Sequence, residues 1–366
     1  SYTNYSLLDT FKKMKSNSYS YLSKVMHKQF LQEKEIVGFL LNRIQEKSKN
    51  FDYHKTNNIF ITGLARAGTT ALLQSLDSTN MFSSFRYKYM PFILSPRLAK
   101  FYSKYFQKND DNKKERIHGD GLKISSLSPE CLDEPFWINT EYKKYDFSKT
   151  LFPHALNEKT IREYGFLINS FSEIESKKRS LIKNNNNHLR LISLSSYFLN
   201  STFLIVFRSP IAHAKSLLNL HIRLKNIQNN DNYVLEYMNL IGHWEFGKGK
   251  KLFTYKEFQK DILNSLDDKE IEYWLHQWIY TYEWILEIYS KSKNSNLKLV
   301  CYEDLCKNKQ YKSNLFHSLE VDNQVENFSL HLGKSNLIDK TLNLDLNLTK
   351  YAFEIYENLR IESKFI

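Results

Sequence analysis

Residues 59–70 read Ile59-Phe60-Ile61-Thr62-Gly63-Leu64-Ala65-Arg66-Ala67-Gly68-Thr69-Thr70. The opening apolar, β-branched run predicts a buried strand over 58–63, and the two glycines that follow mark a turn. Glycine lets successive N–H groups converge on one point with no Cβ in the way. Thr69 and Thr70 then open a helix whose apolar face is Leu72, Leu73 and Leu76. Strand, glycine turn and helix N-terminus together form an anion cradle, because the free N–H groups and the positive dipole end point at the same place.

The frame of Gly63, four residues, Gly68 and two threonines is that of a P-loop with one change. The lysine expected after the second glycine is replaced by Thr69, and a cation stands inside the turn at Arg66. In an NTPase that lysine reaches the β- and γ-phosphates and its Ser/Thr neighbour holds magnesium. The substitution keeps the cradle and argues against ordinary triphosphate hydrolysis.

A second segment extends the reading. Phe203-Leu204-Ile205-Val206-Phe207 is a continuous apolar run, as a buried parallel strand requires. Arg208-Ser209-Pro210 follows, with Ser209 suited to an N-cap and Pro210 to the first helical position. Arg208 therefore falls at the carboxyl end of a strand, where open α/β sheets bind ligands, and Ser216 lies about two turns into the next helix.

This pair of segments resembles the 5′-phosphosulfate loop and the 3′-phosphate motif of sulfotransferases that use 3′-phosphoadenosine 5′-phosphosulfate (PAPS). Arg66-Ala67-Gly68-Thr69-Thr70 is similar to the first motif, and Arg208, Pro210 and Ser216 match the spacing of the second. Tyr302-Glu303-Asp304-Leu305, after the apolar run 297–301, is similar to a Y-E-D-L segment of the family. The likeness spans about residues 57 to 310. It implies sulfuryl transfer from PAPS to an acceptor hydroxyl or amine, leaving PAP, with no metal required. It also implies that Gly63, Arg66, Ala67, Gly68, Thr69, Thr70, Arg208 and Ser216 hold the donor. In the family a Lys-Asn pair often ends the strand before the 3′-phosphate strand. Lys183-Asn184 matches it, making Lys183 a second cation for the reaction. His331-Leu332-Gly333-Lys334-Ser335 is a loose match to a basic lid, with Lys334 over the 3′-phosphate.

The acceptor needs a base. Ser128-Pro129-Glu130-Cys131-Leu132-Asp133-Glu134-Pro135-Phe136-Trp137 resembles a region of bacterial carbohydrate sulfotransferases, a family that often uses Glu or His. Glu134, beside Phe136 and Trp137, is expected to have a raised pKa, and His118 titrates near neutrality unaided. Glu130 and Asp120 are the further candidates. After the P-loop helix, where related chains carry an acid, this one has Arg86-Tyr87-Lys88. Arg66 is expected to act by electrostatics, stabilising charge on the bridging oxygen as PAP leaves.

The expected architecture is α/β, a P-loop-type parallel sheet flanked by helices. Residues 1–50 form an N-terminal helical extension for packing or oligomerisation, with an apolar stripe at Phe30, Ile36, Val37, Leu40, Leu41 and Ile44. Residues 51–366 form the main domain, and 221–270 interrupt its pattern as an expected acceptor-binding insertion. That insertion holds Gly242-His243-Trp244-Glu245-Phe246-Gly247-Lys248-Gly249-Lys250-Lys251, a mixture suited to a sugar and its anions. Residues 270–291 predict a helix with Trp274 and Trp278 in the core. The run Asn184-Asn185-Asn186-Asn187 reads on composition as a solvated turn.

The 366 residues carry a net charge of +12, which favours an anionic donor and a glycan acceptor. No finger, helix-turn-helix or RNP pattern supports nucleic acid as the partner. No apolar run approaches the length of a membrane span. Three cysteines without metal spacing suit reduced thiols and a cytoplasmic protein, while a lumenal domain trimmed from an anchored enzyme stays open.

Overall fold

The strand β1, Ile59–Thr62, is buried along its whole length at the centre of a parallel sheet. In this computed structural model the described residues are 21–104, 114–115, 123–145, 149–292, 296–321 and 344–365. His118, Asp120 and Lys334 lie outside them. The sheet runs β2 (Phe82–Ser83), β3 (Arg179–Lys183), β1, β4 (Thr202–Phe207), β5 (Leu297–Cys301). Every neighbouring pair is parallel, with Ile61 opposite Lys183 on one side and Leu204 on the other.

The pleat divides the core in two. Ile59, Ile61, Leu181, Leu204 and Val206 face the helix α3 (Thr69–Asp77), through Leu72, Leu73 and Leu76. Phe60, Ile182, Phe203, Ile205 and Phe207 face the other way. There they meet the larger helices α5 (Glu158–Glu175), α6 (Pro210–Asn230) and α7 (Ile271–Lys291). Phe60 and Phe203 stack with ring centroids 4.6 Å apart. Both faces are covered, so the strands are apolar throughout rather than alternating. Trp274 and Trp278 of α7 are buried in the core, as the helical spacing predicted.

The expected N-terminal helix is two helices, α1 (Tyr21–Leu31) and α2 (Lys34–Ser48), separated by a short break. Val37, Leu40 and Ile44 are buried, while Phe30, Ile36 and Leu41 pack half-buried on the core. The pair docks on its own chain. α2 lies on α5, and Asn139 of α4 (Glu134–Thr140) donates to the Leu31 carbonyl at 3.2 Å. α6 continues through 221–230, and the helices 232–240 and 257–265 follow it, with a loop at 241–256 between them. Among the described residues no helix is long and apolar enough to cross a membrane.

Candidate anion-binding site

β1 sits between β3 and β4, so the turn after it is flanked by the carboxyl ends of both. The helices that follow β1 and β4 lie on opposite faces of the sheet, which opens a crevice between the two strand ends. Gly63 and Gly68 have φ of +137° and +105°, and Arg66 lies in the left-handed region at +71°. A Cβ on Gly63 would stand 2.3 Å from the Val206 carbonyl oxygen, and one on Gly68 2.2 Å from the Tyr302 ring. Glycine at these positions is required by close approach as well as by torsion.

The Ala67 N–H closes a turn onto the Leu64 carbonyl at 3.1 Å, and the first amide to bond back into α3 is that of Leu72, onto Gly68 O. Of the four amides between them, those at 68–70 belong to the glycine and the two threonines that open the helix's first turn. Thr69 Oγ1 donates to Asn185 Oδ1 at 3.1 Å, which commits the first of the two threonine hydroxyls. His213 of α6 donates through Nε2 to the Ala65 carbonyl at 2.7 Å, which clamps the turn from the side of β4.

Arg208, Arg66 and Ser216 come together. Arg208 Nη1 donates to the Arg66 carbonyl at 3.4 Å, and Arg66 Nε donates to Ser216 Oγ at 3.2 Å. Burial pulls the Arg208 pKa below the usual guanidinium value; Glu303 and Tyr302 oppose this and Arg66 adds to it. Arginine remains charged through such a shift. Ser209 occupies the N-cap position of α6 without a side-chain cap bond, and its N–H is taken instead by Glu303 at 2.9 Å. Pro210 stands at the start of the helix as expected. On the other flank, Lys183 is buried and paired with Glu130 at 2.9 Å.

The asparagine run is not a solvated turn. Asn184, Asn185, Asn186 and Asn187 are all buried, in and beside a short 3-10 segment. Each side chain bonds to a different part of the molecule. Asn184 reaches Asp133 and Glu134, Asn185 reaches Thr69 and Glu245, Asn186 the Gly242 carbonyl, and Asn187 accepts from Arg190. The structure also reverses the expected pKa of Glu134. Burial alone would raise it, but the Arg190 guanidinium, bonded to both carboxylate oxygens at 3.0 and 2.8 Å, holds it below the ordinary value. Phe136 and Trp137 are indeed neighbours in sequence; the deciding charge comes from a distant strand-end segment. Asp133 behaves in the opposite way: burial raises it, ahead of the hydrogen bond from Tyr164.

No protein-family model and no curated protein sequence matches the chain. Solved structures whose folds align with it include sulfotransferases. Sulfotransferase STF1 from Mycobacterium tuberculosis aligns at 12% identity over 98% of this chain and 90% of its own, with a TM-score of 0.45. STF9 from Mycobacterium avium aligns at 11% identity over 87% and 82%, also at 0.45. The sulfotransferase domain from the curacin biosynthetic pathway aligns at 16% identity over 83% and 98%, at 0.38.

A cavity of about 1010 Å³ opens between α2 and the 241–256 loop. Val37 and Leu41 of α2, Tyr142 and Tyr145, and Trp244, Lys248 and Lys250 line it. The loop thus turns Glu245 toward Asn185 and its neighbour Trp244 toward the cavity. His213 and Asn185 are P-loop contacts that sequence reading missed, and Tyr302, marked there for its motif, proves to pack against Gly68. Asn185 stood two positions beyond Lys183 and His213 five beyond Arg208, within segments already marked, but only the fold turns them onto the P-loop.

Proposed function

We propose that the chain is a sulfotransferase that moves the sulfuryl group of PAPS to an acceptor hydroxyl, with a carbohydrate as the acceptor class. The observation that carries this reading is the convergence of Arg208, Ser216 and Arg66 on one crevice with the amides at 68–70. A donor that is anionic at both ends of an adenosine needs two anion grips side by side. Here the loop amides, with Thr70, would take the 5′-phosphosulfate, and Arg208 with Ser216 the 3′-phosphate.

In-line attack on sulfur builds charge on the bridging oxygen as PAP departs. Fixed N–H groups and cations aimed at that oxygen lower the barrier, each by about 3 kcal/mol in comparable sites. Arg66 and the loop amides are assigned that role, with Lys183 on the opposite flank. Glu134, with both oxygens committed to Arg190 and Asn184, is assigned to holding the asparagine segment in place. The lysine- and aromatic-lined cavity supports an acceptor that carries negative charge as well as sugar rings.

The test is thermal shift with PAP against ATP, ADP and AMP. A ligand at 100 times its Kd stabilises by about 2.7 kcal/mol. PAP should shift the melting temperature most; an equal or larger response to ATP with magnesium would instead indicate an NTPase or kinase.

A further inference from the structure

Asn185 stands between the P-loop and an acidic side chain. Its Oδ1 accepts from Thr69 at the first position of α3, and its Nδ2 donates to Glu245 Oε1 at 3.2 Å. One amide therefore fixes a carboxylate relative to the helix N-terminus that closes the anion cradle. Glu245 is half-buried, and the bond from Asn185 is its one hydrogen bond among the described residues.

The loop that carries Glu245 is pinned on both sides. Before it, the Gly242 carbonyl accepts from Asn186 at 3.1 Å; after it, the Gly247 N–H donates to His221 Nδ1 at 3.2 Å. Trp244 is buried, and its carbonyl accepts from the Lys251 N–H at 2.9 Å. A side chain on so constrained a backbone keeps its place. The other described carboxylates around the crevice are committed elsewhere: Glu130 to Lys183, Asp133 to Tyr164 and Asn184, Glu134 to Arg190, and Glu303 to the Ser209 N–H.

We infer that Glu245 takes the proton of the acceptor hydroxyl, with Asn185 as the positioning residue that aims it. This rests on the sulfotransferase reading above. In the step, the acceptor oxygen bonds to sulfur and the bond from sulfur to the donor's 5′-phosphate oxygen breaks, its electron pair leaving with PAP. The hydroxyl proton passes to a Glu245 oxygen and is later returned to water. The products are the sulfate ester and PAP, and the carboxylate is regenerated.

The variant is Glu245→Gln, which keeps size and hydrogen-bonding shape. PAP binding is measured by calorimetry, and sulfuryl transfer from PAPS is measured to a hexosamine, to para-nitrophenol and to water. Expected are unchanged PAP affinity and melting temperature, with kcat toward the hexosamine, or toward water if no sugar is accepted, falling about 100-fold. Transfer to para-nitrophenol, whose hydroxyl ionises without help, should fall about threefold or less, because little proton transfer is left to catalyse. Equal losses for acidic and non-acidic acceptors, no loss for either, or a parallel loss of PAP affinity would overturn the assignment. Glu245→Asp should recover part of the hexosamine rate. If the unmodified protein binds PAP no better than AMP, the sulfotransferase reading itself fails, whatever the variants do.

Discussion

At the scale of single residues, the two arginines of the crevice should separate by experiment. Arg208→Ala removes the partner assigned to the 3′-phosphate. PAP binding should weaken by about 10- to 100-fold, the worth of a charge-assisted hydrogen bond, while 5′-AMP binding changes little. Equal losses for both nucleotides, measured by calorimetry, would assign Arg208 to structure. Arg66→Gln should lower turnover by about 100-fold with a much smaller change in PAP affinity, since its interaction strengthens as the bridging oxygen gains charge. If turnover stays within a few-fold, Lys183 inherits the role. Residue identities at the crevice were legible in the sequence because glycine spacing and strand-end cations are local patterns. Electrostatics were not. The environment of Glu134 was misjudged because Phe136 and Trp137 are adjacent in sequence and Arg190 is 56 positions away. Glu245 was visible only as one member of a loop, because Asn185, its partner, lies 60 positions before it.

At the scale of elements, the turn from β1 into α3 is held by close approach, and glycine substitutions should report this. Gly63→Ala drives a methyl into the Val206 carbonyl, a backbone atom of the adjacent strand that cannot yield without disturbing the ladder. A loss of about 2 kcal/mol or more is expected in urea unfolding. Gly38→Ala is the contrast. It lies inside α2, and nothing stands within 4 Å of the added Cβ. It should stabilise by about 0.5–1 kcal/mol, the usual gain for removing an interior helical glycine. Similar outcomes for the two variants would contradict the packing described. The strands themselves were readable, since parallel strands buried on both faces must be unbroken apolar runs. The asparagine run was misread for the complementary reason. Its composition is polar, and apart from Arg190 nearby, its side-chain partners inside the molecule (Thr69, Asp133, Glu134, Gly242 and Glu245) come from three distant segments.

At the scale of the whole molecule, buried histidines set the response to acid. Burial lowers His188 to about 4, and burial together with Arg208 lowers His213 well below its ordinary value. Both are neutral in the folded chain and both charge near 6.5 once unfolded. The unfolded state therefore binds more protons below that pH. Stability should be flat above about 6.5 and fall as the pH drops toward 4, by on the order of 1 kcal/mol or more per histidine. Glu134, held below its ordinary 4.5, adds a further loss beneath that value as it too must take a proton. Urea midpoints at pH 7 and 5 check this; equal midpoints would mean that the imidazoles are hydrated in the native state. One wall of the large cavity belongs to α2, a helix at the opposite end of the chain from the sheet's last strand. The cavity and the P-loop are thus shaped by separate segments. Exchanging the leading helices should recut the chamber to a different girth while the glycine turn after β1, built wholly from later segments, stays as it is.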